Sequence, residues 1–108
     1  VVVDLMGIES PRDGVRELVV GVPVFFCLHV GLDVQRERGV DAGILAGEAG
    51  ELKRELGVKI AVAGGIDEST AGLFARAGAD VIVVGGAITR ARDPVSKTRA
   101  ILAAIGGE

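Results

Sequence analysis

The sequence predicts an α/β fold in which four parallel strands alternate with four helices, and three observations predict it. Four short runs rich in Val and Ile, at residues 1–3, 22–28, 59–63 and 80–84, are each too short for a globular helix. Their near-continuous apolar character means burial on both faces, as in a parallel sheet covered by helices. The segments between them carry helical spacing with start and stop signals.

In chain order, residues 1–3 give the first strand, which ends at Asp4. Ser10-Pro11 supplies an N-cap with proline at the first helical position, and Gly21 closes that helix. The second strand, 22–28, runs to His29. A weaker stripe of Ala49, Leu52 and Leu56 marks the second helix, which Gly57 ends. After the third strand, Asp67 can cap a helix through Leu73 and Phe74 that stops at Gly78. After the fourth, Asp93-Pro94 opens the last helix, where Val95, Thr98, Ile101, Leu102 and Ile105 share a face expected to pack on the sheet. Gly106 follows it. Glycine just past each helix suits a left-handed C-cap, and the order reads βαβαβαβα.

Ala61-Val62-Ala63-Gly64-Gly65 and Ile82-Val83-Val84-Gly85-Gly86 repeat one pattern, an apolar strand followed by two glycines. Repeated βα units with the same strand-end chemistry predict a TIM-type (βα)8 barrel. Such a barrel needs eight strands and roughly 250 residues, whereas this chain has 108. The expectation is therefore a single (βα)4 half-barrel domain over residues 1–108, a fragment or half of a larger barrel. Open edges and an uncovered apolar face predict association, by pairing of two copies as a homo-oligomer or with a complementary half-barrel.

Composition excludes several classes. A net charge of −3, with three Phe and no Trp or Tyr, argues against a nucleic-acid surface. The longest apolar run, residues 19–28, is far short of the roughly 20 residues that span a bilayer. No export signal is visible, and the single Cys27 excludes an internal disulfide. Both observations suit a reducing, cytoplasmic setting. One His, one Cys and scattered carboxylates give no metal-ligand spacing. Lys53, Lys59 and Lys97 fall on helices or at a strand start, which argues against Schiff-base or lysine-acid chemistry within this chain.

Ligands meet parallel α/β folds at the carboxyl ends of the strands. Those ends carry Asp4, His29, Gly64-Gly65 and Gly85-Gly86. Paired glycines let the backbone approach an anion closely, and a helix N-terminus directly downstream adds a positive dipole. Two such pairs on successive strands predict a grip on one phosphate, with tight turns as the plainer alternative. His29 can donate to a substrate oxygen or shuttle a proton, or serve as a satisfied structural residue. Asp4 can position a sugar hydroxyl or cap a loop. Asp33 and Gln35 offer polar groups to substrate hydroxyls. Arg90 and Arg92, just past the second pair, read as surface cations within reach of a phosphate.

At these positions the sequence resembles the second half of the orotidine-phosphate decarboxylase superfamily, in its 3-hexulose-6-phosphate synthase branch. Val3-Asp4-Leu5-Met6-Gly7, His29-Val30-Gly31-Leu32-Asp33-Val34-Gln35, Ala63-Gly64-Gly65-Ile66 and Val84-Gly85-Gly86-Ala87-Ile88-Thr89 resemble that family's fifth to eighth strand ends, in order. Gly86 stands where the decarboxylases proper carry a phosphate-binding arginine, which favours the synthase branch. The resemblance implies an aldol reaction joining formaldehyde to ribulose 5-phosphate through a magnesium-stabilised enediolate. It assigns phosphate binding to Gly64, Gly65, Ile66, Gly85, Gly86 and Ala87, and places His29 and Asp4 in the active site near the sugar. The family's Asp-x-Lys-x-x-Asp motif and magnesium carboxylates belong to the other half of the barrel, and this chain lacks them. Three readings follow: the phosphate-binding half of such an aldehyde-lyase, an associating half-barrel that binds phosphate or sulfate without turnover, or a stand-alone sugar-phosphate binding protein.

Overall fold

The computed structural model describes residues 2–4, 25–32 and 41–106. Four strands, β1 (Val2–Asp4), β2 (Phe25–His29), β3 (Lys59–Ala63) and β4 (Val81–Ile82), form one sheet in the order β1-β2-β3-β4. Every pairing is parallel, with Asp4 opposite Cys27, Cys27 opposite Ala61 and Ala61 opposite Val81. The helices are α1 (Ala42–Leu56), α2 (Ala71–Ala77), α3 (Gly86–Thr89) and α4 (Pro94–Ala104). The expected first helix, with its Ser10-Pro11 and Gly21 signals, lies outside the described residues, as do residues 22–24 of the expected second strand.

Side-chain alternation gives the sheet two different faces. Phe26, Ile60 and Val62 are fully buried among Ala49, Leu52, Ala71, Phe74 and Ile101 of the helices, whereas Cys27, Ala61 and Ala63 cluster apart. Large residues thus face the helices, and small ones face the opposite side.

Asp41 caps α1 by accepting from Gly43 N at 2.6 Å, and Gly57 ends it in the left-handed region with φ 65°. Asp93 caps α4 as the sequence predicts, accepting from Ser96 N at 3.1 Å with Pro94 at the first position. The helix after β3 starts later than expected. Asp67 Oδ1 accepts from Ser69 N at 2.9 Å and from Thr70 Oγ1 at 3.3 Å, forming a turn, so α2 begins only at Ala71. The short helix α3 was not predicted, because four residues carry no periodicity.

Two further expectations change. The run 80–84 forms a strand of only two residues, flanked by ladder bonds from Asp80 N to Ile60 O and Val83 N to Val62 O, both 2.8 Å. The α4 stripe is only partly used: Ile101 is buried, but Val95 is 60% and Leu102 42% exposed. α4 packs mainly on α2 and α3 rather than on the sheet, so the rest of its apolar face is uncovered among the described residues.

Candidate functional site

β3 and β4 are neighbours and parallel, so their carboxyl ends emerge side by side. Gly64-Gly65 and Gly85-Gly86 therefore meet. Both pairs line one cavity of about 410 Å³, together with Ile66, Asp67, Val83, Ala87 and Arg90. Of the expected residues, Gly64, Gly65, Ile66, Gly85, Gly86 and Ala87 are all brought to this place.

The glycines contribute differently. At Gly64, φ is 110° and an added Cβ would lie 2.7 Å from Gly31 N, so the β3 rim packs directly on the backbone after β2. Leu32 N donates to Gly64 O at 3.0 Å across that junction. Gly65 has φ 75°, a conformation that side chains rarely adopt. Gly85 meets neither restriction: its φ is −115° and an added Cβ would find nothing within 4 Å. Its bare backbone faces open space.

Among the described residues, no backbone hydrogen bond outside the regular elements takes its donor from the N–H of Gly64, Gly65, Ile66, Gly85, Gly86 or Ala87. The N–H groups at 86 and 87 open α3, where a helix has no internal acceptor for them. Backbone N–H groups of the residues lining this cavity are the hydrogen-bond donors it could offer an oxyanion. The expected helix-dipole contribution needs correction. The Asp67 turn separates the first glycine pair from α2, and α3 has only four residues, while a dipole acts within about one turn of a helix end.

Among the described residues, Asp67 and Arg90 are the ionisable ones lining the cavity. The sequence offers Asp67 as a helix cap and Arg90 as a surface cation within reach of a phosphate. Spacing after a glycine pair was the one available signal for either. Arg92 lines a separate groove with Glu68, Asp93, Ser96 and Lys97.

His29 ends β2 and is exposed, opposite Ala63 in the register. It is not among the residues lining the glycine cavity. Asp4 ends β1, and the backbone pairing sets it opposite Cys27. Asp33 and Gln35 lie outside the described residues.

The described residues do not fit magnesium. Among the described residues no three of His, Cys, Asp and Glu come together, and the cavity's Asp67 already accepts from Ser69 and Thr70. No helix of the described residues is long and apolar enough to cross a membrane.

Comparison with known proteins places this geometry. The family model for the Orotidine 5'-phosphate decarboxylase / HUMPS family matches residues 2–101. A 3-hexulose-6-phosphate synthase of Mycobacterium gastri is 42% identical over 106 residues, covering 97% of this chain and 49% of that protein. One from Staphylococcus epidermidis is 30% identical, covering 98% of this chain and 49% of its own length. The crystal structure of 3-hexulose-6-phosphate synthase from Salmonella typhimurium superposes with a TM-score of 0.76 at 32% identity, covering 99% of this chain and 50% of that one. The chain spans about half the length of these relatives, with the parallel α/β order of a TIM-type barrel. It belongs to the Orotidine 5'-phosphate decarboxylase / HUMPS family.

Proposed function

We propose that the chain is the phosphate-binding half of a 3-hexulose-6-phosphate synthase-like aldehyde-lyase, which joins formaldehyde to ribulose 5-phosphate. The observation that carries this reading is the single cavity lined by both glycine pairs. In barrels of this type a phosphate is held by the loops after the last two strands and a short extra helix. Here β3, β4 and α3 supply those parts. The full-length relatives named for this activity support the choice of substrate.

Turnover needs the complementary half. This chain carries no Asp-x-Lys-x-x-Asp motif, and Lys53, Lys59 and Lys97 lie on helices or at the start of β3. His29 and Asp4, at neighbouring strand ends, would act on the sugar once that half is in place, and magnesium would be held by its carboxylates. Asp33 and Gln35 would bind sugar hydroxyls, and the assembled enzyme would work in the cytoplasm.

The uncovered surface supports the same need for a partner. Val81 and Val83 at the β4 edge are 41% and 46% exposed, and Val95 and Leu102 of α4 are exposed as well. A second half-barrel, either another copy or a complementary chain, would bury the β4 edge.

Calorimetric titration tests the phosphate assignment. Ribulose 5-phosphate should bind and ribulose should not. Gly65→Val should weaken binding about tenfold or more, because φ 75° excludes a β-branched residue and the side chain would crowd the rim. Equal affinity for the two sugars, or no effect of the substitution, would overturn the assignment.

A further inference from the structure

Arg90 reaches the glycine cavity from the residue just after α3. It stands four residues beyond Gly86, one helical turn, so the two share a face. The three atoms nearest a Cβ built at Gly86 all belong to the Arg90 guanidinium, with Cζ at 2.6 Å and Nη1 at 3.0 Å. The missing side chain at position 86 is the space that the guanidinium fills.

The same glycine-to-arginine spacing occurs twice more. At Gly50 the nearest atoms are Ala77 O at 2.8 Å and Arg54 Nη1 at 3.1 Å; at Gly72 they are Ala104 O at 2.8 Å and Arg76 Nη1 at 2.9 Å. In both, the bare glycine admits a carbonyl oxygen of a neighbouring helix beside a guanidinium. At Gly86 no carbonyl oxygen is among the nearest atoms, and the guanidinium borders the cavity instead.

Charge points the same way. Among the described residues Arg90 takes part in none of the ion pairs, which join Lys53 and Lys59 to Asp80 and Lys97 to Glu68. Among the described residues Asp67 is the one carboxylate lining the cavity. Among the described residues of the lining, Arg90 supplies the positive charge that an arriving phosphate would meet.

We propose that Arg90 is the cationic ligand of the phosphate, and that Gly86 serves the site by seating this guanidinium as well as by its own backbone N–H. The proposal rests on the phosphate reading of the cavity. A guanidinium adds charge-assisted hydrogen bonds to the backbone donors, each stronger than a neutral one.

Titration of the chain with inorganic phosphate and with ribulose 5-phosphate tests it. Arg90→Ala should weaken both about tenfold or more, and Arg90→Lys should restore part of the loss. Gly86→Ala should weaken binding by displacing the guanidinium, and the Gly86→Ala/Arg90→Ala double variant should bind no worse than Arg90→Ala alone. Arg92→Ala, in the separate groove, should bind as the unaltered chain does. Full additivity of the two losses, or an unchanged Arg90→Ala, would overturn the proposal. If Gly65→Val loses phosphate while Arg90→Ala keeps it, the site stands and this inference falls. If the unaltered chain binds neither ligand, both fall.

Discussion

Asp80 ties three elements together at the end of the sheet opposite the cavity. Its Oδ2 accepts from Lys53 Nζ in α1 and from Ile60 N in β3 at 2.9 Å, with Lys59 Nζ 3.9 Å from Oδ1. Burial pushes the carboxyl up, but the Lys53 hydrogen bond, the Ile60 N–H and the two ammonium charges outweigh it and leave it below its ordinary 3.8. A carboxyl lowered in the folded state adds stability that is complete above the unfolded value and lost as pH falls through the folded one. Asp80→Asn should therefore cost roughly 1–2 kcal/mol near neutral pH. In urea unfolding, the gap between the two proteins should close as pH drops from 6 towards 2. A gap of constant size would show that the charge on Asp80 is not what holds the corner. This role was not legible in the sequence, because its partners lie 20 and 27 residues away and only the fold collects them.

Among the helices, α1 packs on α2 and α2 on α4 through glycines set against helix ends. Gly50 and Gly72 are buried and each lies under a neighbouring terminal carbonyl. Gly47, also in α1, is exposed with nothing within 4 Å of an added Cβ. Alanine is therefore expected to act with opposite signs. Gly47→Ala should stabilise by about 0.5–1 kcal/mol through helix propensity, while Gly50→Ala and Gly72→Ala should destabilise by about 1–3 kcal/mol through overpacking. Thermal unfolding reads the difference directly: a rise in Tm for all three would refute close helix packing. The sequence showed these helices wherever local chemistry set their ends. Asp93-Pro94 and Gly57 mark boundaries where the structure has them, and β3 coincides with residues 59–63. Legibility failed where the cause was not periodic or not local. The Asp67 turn delays α2, α3 is too short to carry a period, and exposure of Val95 and Leu102 depends on what lies beyond the helix.

For the molecule as a whole, four parallel strands with a helix-covered face and a face of small residues form half of a barrel wall. Val81, Val83, Val95 and Leu102 are apolar residues left exposed in that geometry. Light scattering should find the chain associated with itself, or combined with a complementary half when one is supplied. A stable monomer under both conditions would contradict the proposed assembly. The paired glycines were legible because a doubled motif at equivalent strand ends has one simple spatial meaning: adjacent rims. The part played by Arg90 was not, since spacing alone does not distinguish it from Arg92; only the two separate cavities do.

The central claim is that the rims after β3 and β4 together hold a phosphate. Amide resonances followed during titration with inorganic phosphate test it most directly. The account predicts saturable shifts centred on Gly64, Gly65, Ile66, Gly85, Gly86 and Ala87, with Arg92 and the Asp80 corner unmoved. Shifts confined to one rim, spread over the surface, or absent at saturating phosphate would contradict it.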